Sequence, residues 1–96
     1  MKNLCYAKEH SRKAITLTQR TARIGQGVFS YRLLATCNYP CKFFVMICEE
    51  NGVGAIKSLG KDLAVAEEIY ALLHKHTVAP CHLDEIADEL LEQAGE

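Results

Sequence analysis

The side chains best able to do chemistry in this chain are its five cysteines and four histidines. Thiolates and imidazoles are the usual zinc ligands, and a Cys–His pair is the minimum for a thiol nucleophile. Cys37 and Cys41 flank a short predicted turn, where they could form a disulfide or, with His76 or His82, a zinc site. The odd number of thiols and the absence of a C-x-x-C pair favour reduced cysteines instead.

Other reactive arrangements are not supported by the spacing. His74 and His76 are two residues apart in a predicted helix, so their side chains point about 200° away from each other. No cysteine has a recognisable activating context, and no nucleophile elbow, phosphate-binding loop or H-E-x-x-H motif occurs. We therefore predict that the protein is not an enzyme. We assign no catalytic, cofactor-binding or metal-ligating residue.

Charge is divided unevenly along the chain. Residues 1–32 contain seven basic side chains and one acidic one, whereas residues 33–96 contain four basic and eleven acidic ones. By side-chain count the two parts carry about +6 and −7, and we expect them to attract each other within one fold or across a dimer. The basic part also suits contact with a nucleic-acid backbone. The candidate nucleic-acid contacts are Arg12, Lys13, Arg20, Arg23 and Arg32.

The last third of the chain predicts two helices separated by a break at Pro80. The second of them has an apolar arc that includes Leu83, Ile86 and Leu90, and a carboxylate stripe on the opposite side. His82 is its predicted N-cap, with Glu85 as the capping-box acid. A contiguous exposed stripe of this kind indicates solvation or a partner surface, and it would repel phosphates. The candidate partner-surface residues are Asp84, Asp88, Glu89 and Glu92.

The first helix is predicted to begin near residues 60–62 and to end near His76, for which we predict a C-capping role. Its apolar positions cover about half of the helical wheel, which indicates burial against more than one neighbour. This helix should therefore provide most of the helical core, and the second helix should pack beside it.

Alternating apolar residues in the first half predict strands over residues 14–21, 28–36, 43–49 and 53–57. In the first strand, Ile15 and Leu17 should share one face, and Thr16 and Thr18 the other. The dipeptide at residues 51–52 predicts a type I′ hairpin turn before the last strand. The predicted fold class is α+β: an antiparallel three- or four-stranded β-meander followed by two C-terminal α-helices packed on one face.

The third predicted strand is apolar on both faces, although a single helical layer covers only one face of a sheet. Either the N-terminal segment or another subunit should cover the second face. We predict a homodimer through that second sheet face.

We expect one α+β domain over residues 13–93, preceded by a basic segment, residues 1–12, that is loosely ordered. The longest apolar run, residues 43–48, is too short to span a bilayer, and residues 1–10 lack the apolar region of a signal peptide. These features predict a cytoplasmic protein that does not bind membranes.

Two stretches also resemble the C-terminal signature of an uncharacterised domain-of-unknown-function family of small proteins from clostridia-like Gram-positive bacteria. They are Ser58-Leu59-Gly60-Lys61-Asp62 and Val78-Ala79-Pro80-Cys81-His82-Leu83-Asp84-Glu85-Ile86-Ala87-Asp88-Glu89-Leu90. Glu85 and Glu89 replace the usual aspartates, and Gly60 stands where the family often has a serine N-cap. The resemblance implies a sheet followed by two helices and an intracellular origin. It brings no activity, ligand or site residue.

The function most consistent with these features is a non-catalytic cytoplasmic protein-interaction or regulatory module with an unknown protein partner. The alternative is a weak nucleic-acid-binding protein that uses its basic N-terminal third. We rank the alternative second because the sequence pI is near neutral, at about 6.4, and no recognition-helix pattern appears.

Overall fold

The computed structural model of the protein describes residues 14–36, 41–50, 52 and 54–95. Its elements are β1 (Ala14–Ile24), β2 (Gly27–Thr36), β3 (Phe43–Glu49), β4 (Gly54–Gly60), α1 (Leu63–Lys75), a 3₁₀ turn (Pro80–His82) and α2 (Leu83–Gln93). The strands form one antiparallel sheet in the order β1-β2-β3-β4. The predicted α+β meander followed by two helices is therefore confirmed. The predicted N-terminal segment, residues 1–12, lies outside the described residues.

The alternation predicted for β2 and β3 is confirmed, and it explains where the core lies. Tyr31, Leu33, Val45 and Ile47 point to the same face of the sheet and are essentially inaccessible to solvent. The helices supply the other half of this core with Ala66, Ile69, Tyr70, Leu73, Leu83 and Ala87. Side chains at the intervening strand positions point to the opposite face.

β1 departs from strict alternation because of a β-bulge. Its register with β2 shifts between Thr16 and Thr18, so that Ile15 lies opposite Ala35 and Thr18 lies opposite Leu33. Both partners belong to the buried face, which places Ile15 and Thr18 on the helix side together. The prediction for Thr18 was wrong because the extra residue in a bulge breaks the period of two.

The sequence predicts a turn in the connection before β2 and another in the connection before β4. Ile24 pairs with Gly27 across a two-residue turn, and Gly25 has a φ of 62°, as required at the first central position of a type II′ turn. Between β3 and β4, the last pair among the described residues is Cys48 with Gly54, and the Gly52 amide donates to the Glu49 carbonyl at 2.8 Å. The predicted type I′ turn at residues 51–52 lies partly outside the described residues. β4 ends later than predicted, at Gly60.

Asp62 is the N-cap of α1. Its carboxylate accepts hydrogen bonds from the amide nitrogens of Ala64 and Val65, at 2.9 and 3.3 Å. The expected cap position at Gly60 was wrong: Gly60 is the last residue of β4, and glycine has no side-chain acceptor to compete with an aspartate. At the other end, His76 is the C-cap of α1, as predicted.

α2 begins without a side-chain cap. His82 occupies the predicted N-cap position, but its side chain makes no capping hydrogen bond. The preceding 3₁₀ turn continues directly into the helix, and the His82 amide donates to the Ala79 carbonyl at 3.0 Å. The predicted side-chain capping role of His82 was therefore wrong, because the backbone of the 3₁₀ turn provides the start of the helix.

Two tyrosine hydroxyls connect the central strand to the helices through buried hydrogen bonds. Tyr31 donates to the carbonyl of Val78, between the helices, at 3.0 Å. Tyr70 of α1 donates to the carbonyl of Tyr31 at 2.6 Å. Burial raises the pKa of both phenols, and the nearby Arg20 partly opposes this for Tyr70. β2 is thus linked both to α1 and to the connection that leads into α2.

We expect Tyr31→Phe to lower the free energy of unfolding by about 1–2 kcal/mol, because the buried Val78 carbonyl loses its donor. Urea denaturation monitored by circular dichroism measures this change. Tyr70→Phe is the matched control. It also removes a buried hydroxyl donor, but the Tyr31 carbonyl that loses this donor belongs to a sheet strand with neighbouring strands on both sides. A loss for Tyr31→Phe no larger than that for Tyr70→Phe would contradict this account of the Val78 contact.

Candidate partner-binding surface

The sheet face opposite the helices is uncovered within the described residues, and we call it the open face. The pairing of the strands arranges its side chains in cross-strand rows. The rows are Thr16–Leu34–Phe44–Ser58, Gln19–Arg32–Met46–Ile56 and Thr21–Ser30–Cys48–Gly54. This surface combines an apolar region on β2–β4 with a polar region on β1–β2.

The apolar region consists of Leu34, Phe44, Met46 and Ile56, which are neighbours across three strands. Ile56 is 58% exposed, and the other three are partly buried by each other and by the sheet. Scattered apolar side chains are normal on a protein surface, but a contiguous set on one flat face is typical of a binding surface. The apolar character of both faces of β3, predicted from the sequence, produces this region.

Arg32 lies at the boundary between the two regions, with Gln19 on one side and Met46 on the other. Its Nε atom is buried and has no hydrogen-bond partner among the described residues. A depression of about 340 Å³ borders this arginine and extends to Glu49 and Glu50. A buried donor without a partner costs free energy, which a ligand able to accept its hydrogen bond would recover.

The structure brings together only some of the predicted nucleic-acid contacts. Arg23 and Arg32 both project from the open face, because their pairing partners Val28 and Gln19 lie on that side. Arg20 lies on the helix side, with its guanidinium carbon 5.6 Å from the centre of the Tyr70 ring. Arg12 and Lys13 lie outside the described residues. The described basic residues therefore divide between the two faces of β1 and β2.

The predicted acidic surface on α2 is partly engaged within the fold. Lys57 of β4 places its Nζ atom 2.6 Å from Asp84 Oδ1 and 2.8 Å from Asp88 Oδ1. Both carboxylates are still largely exposed, at 82% and 61%. Glu89 and Glu92 are exposed and form no ion pair with another described residue. This part of the stripe helps to hold α2 against β4.

Sequence reasoning missed the role of Lys57, although two signals were present. Lys57 and Ala55 are two residues apart and both lie on the helix side of β4, where Lys57 is opposite the buried Val45. Asp84 and Asp88 are four residues apart on one face of α2, a spacing that lets both approach the same cation. The hydrogen bond from Lys57 to Asp84, followed by the one to Asp88, raises the pKa of Lys57.

The candidate cysteine and histidine ligands are dispersed. Within the described ranges there is no group of three or more His, Cys, Asp or Glu side chains able to hold a metal ion. Cys48 and Cys81 are free thiols. Cys37 lies outside the described residues, so the alternatives for Cys37 and Cys41 stay untested. His74 is used structurally, with its Nε2 atom 3.0 Å from the Thr21 carbonyl oxygen.

Comparison with known proteins adds no relative. Neither a protein-family model, nor a curated protein, nor a solved structure matches the chain. Across the described residues, no helix has both the length and the apolar character needed to cross a membrane.

We expect Lys57→Met to lower stability by roughly 0.2–1 kcal/mol near neutral pH, the range for exposed ion pairs. The pKa of Lys57 is raised in the folded state, so its contribution is fully present below the ordinary value of 10.5 and is lost as pH rises through the folded value. The difference in unfolding free energy between the two proteins should therefore be constant from neutral pH up to about pH 10 and shrink above it.

Urea titrations of both proteins at matched pH values measure this difference. Ionisation of Tyr31 and Tyr70 also destabilises the fold at high pH, but it acts on both proteins and cancels in the comparison. A difference that stays unchanged through the alkaline range would show that the charge of Lys57 contributes nothing.

Proposed function

We propose that this protein is a non-catalytic, cytoplasmic interaction or regulatory module that binds its partner through the open face. The observation that supports this most directly is the contiguous set of Leu34, Phe44, Met46 and Ile56 on a sheet face that no described element covers. Association would remove these side chains from water, which is favourable in proportion to the apolar area buried. The same set requires no reaction chemistry to explain it.

We propose a second copy of the chain as the occupant, which gives a homodimer of two sheets packed face to face. Strand spacings of about 4.8 Å and rises of about 3.3 Å per residue give the four-stranded face a footprint of roughly 400 Å². Two such faces provide roughly 800 Å² in total, somewhat below the roughly 1,000 Å² expected of a stable specific interface. The dimer should therefore be concentration-dependent rather than permanent.

Charge is also compatible with self-association. Arg23 and Arg32 project from the open face, while Glu50 lies at the margin of the depression beside Arg32. Each copy would thus bring both basic and acidic groups to the contact. An acceptor from the second copy would satisfy the buried Arg32 Nε, which has no partner within the described chain.

We expect Ile56→Asp to abolish dimerisation, because it places a charge in the middle of the buried apolar contact. Size-exclusion chromatography with light scattering, run from low to high micromolar protein, measures the change. Leu63→Asp is the matched control: Leu63 is an exposed apolar residue, at 42%, but it lies at the start of α1, away from the open face. The control should dimerise like the unchanged protein.

A protein that is monomeric throughout this concentration range would contradict the homodimer. The other occupant expected from the sequence is the N-terminal segment, and deletion of residues 1–13 tests whether it covers the open face. If the deletion produces a dimer that Ile56→Asp abolishes, the N-terminal segment competes for the open face.

Nucleic-acid binding is the second candidate, and one observation favours it. Arg23 and Arg32 share the open face with the polar side chains Gln19, Thr21 and Ser30. Two arginines on a flat, partly polar sheet can contact phosphates, although the face offers Phe44 as its single aromatic platform among the described residues.

If the second candidate is correct, Arg23→Ala with Arg32→Ala should abolish binding to a labelled single-stranded oligonucleotide, measured by fluorescence anisotropy. Arg20→Ala should leave binding nearly unchanged, because Arg20 is on the opposite face. The affinity of the unchanged protein should fall steeply with added salt. If Arg20→Ala weakens oligonucleotide binding as much as Arg23→Ala with Arg32→Ala does, a site on the open face is contradicted.

The resemblance to the uncharacterised bacterial family stays a prediction. It is compatible with a sheet followed by two helices, and it brings no activity that would favour one proposal over another.

A further inference from the structure

β1 is an edge strand whose outer backbone groups can be assigned from the pairing. The Val28 carbonyl accepts a hydrogen bond from Glu50 on the β3 side, at 2.8 Å, so it does not face Arg23 in β1. Because antiparallel pairs alternate between bonded and non-bonded positions, Gln19, Thr21 and Arg23 direct their N–H and C=O groups away from β2. These groups form the free edge of the sheet.

One of these outward groups already has a partner. The Thr21 carbonyl oxygen lies 3.0 Å from Nε2 of His74, near the end of α1. This contact confirms that the carbonyl points away from β2, and it closes the edge at that position. On the N-terminal side of Thr21, Gln19 is the nearest residue whose N–H and C=O groups both point outward. Among the described residues, no helix side chain bonds to these two groups.

Beside this part of the edge, α1 leaves an opening on the helix side. A cavity of about 230 Å³ lies between β1 and α1. Leu17, Leu33 and Ala71 form its apolar wall, and Thr18, Arg20, Glu67 and Tyr70 complete the lining. Ile15 and Leu17 are 51% and 42% exposed on this strand, so apolar surface continues from the cavity along the edge.

The charge of β1 indicates what kind of strand would fit. β1 contains Arg20 and Arg23 and no carboxylate over Ala14–Ile24. An added strand with acidic side chains would therefore be attracted to it. A second copy of β1 would instead bring two further arginines to the same edge, which disfavours pairing of β1 with itself.

We propose that the β1 edge and the adjoining cavity form a docking site for an extended acidic segment of a partner protein. The segment adds as a fifth strand through the outward backbone groups of Gln19 and the Thr21 amide, and one of its apolar side chains enters the cavity beside Leu17 and Ala71. Because its side chains alternate between the two faces, its carboxylates lie on the other side of the strand, near Arg23. This site is separate from the open face, so it does not depend on the proposed homodimer.

The test uses the full chain with ¹⁵N labelling and two synthetic peptides, one of alternating glutamate and valine and one of alternating lysine and valine. The acidic peptide should shift the amide resonances of β1 and of α1 near Glu67 and Ala71. The basic peptide should bind at least about tenfold more weakly, because its lysines would lie on the face that carries Arg23. Equal binding of both peptides, or no binding of either at millimolar concentration, would overturn the proposal.

Gln19→Pro removes the outward N–H, which an edge strand tolerates because that group does not bond to β2. It should weaken binding of the acidic peptide about tenfold relative to the matched variant Gln19→Ala, which keeps the N–H. Ala71→Leu fills the cavity from an exposed helix position and should weaken binding without disturbing the sheet. If Gln19→Pro does not fold, Ala71→Leu tests the proposal in its place. Unchanged affinity for Ala71→Leu would overturn the proposed use of the cavity.

Ile56→Asp should leave peptide binding unchanged, which separates this site from the open face. If the protein instead forms a dimer that Gln19→Pro abolishes and Ile56→Asp does not, the β1 edge pairs with a second copy, and the peptide proposal is overturned.

Discussion

A β-strand presents its side chains alternately to two faces, and this chain has one layer of helices with which to cover a four-stranded sheet. α1 and α2 bury the face that carries Tyr31, Leu33, Val45 and Ile47. The intervening residues of the same strands must then face the other way, whatever their polarity. The open face is thus a geometric result of the same alternation that builds the core. An antiparallel sheet with one face in water usually has polar residues on that face. The apolar residues of the open face distinguish this sheet from that arrangement.

The helices are held over the core by polar contacts as well as by apolar packing. The Tyr31 hydroxyl reaches the connection between the helices at Val78, and Lys57 contacts Asp84 and Asp88 on α2. The tyrosine contact is buried and directional, whereas the lysine contact is largely exposed and contributes less. Together they define how far the helical layer extends across the sheet. It leaves the first half of β1 uncovered on the helix side, where Ile15 and Leu17 are exposed.

Sequence patterns were sufficient for the fold because the relevant signals are local and periodic. β3 was predicted at its observed bounds, and the alternation of β2 assigned its buried and outward residues correctly. The errors arose where the backbone interrupts a period or where a contact is distant in sequence. The bulge near Leu17 reversed the side of Thr18, and the 3₁₀ turn replaced the side-chain cap expected from His82.

The candidate surfaces were less predictable for a related reason. The composition of β3 indicated a second apolar face, but the distribution of Arg20, Arg23 and Arg32 over two faces depends on the register of β1 with β2. The ion pairs of Lys57 join residues that are 27 and 31 positions apart, and no local pattern specifies such contacts. The cavity beside β1 depends on where α1 crosses the sheet, which only tertiary packing determines.

The bulge in β1 also determines which face of the sheet the first residues of the strand occupy. Ile15 lies opposite Ala35 because Leu17 is an additional residue between Thr16 and Thr18. Pairing of every residue without the bulge would place Thr16 opposite Ala35 and carry Ile15 to the open face. A single-codon deletion of Leu17 would instead regularise the strand and leave Ile15 opposite Ala35, so the start of β1 tolerates the loss of that residue without exchanging its faces.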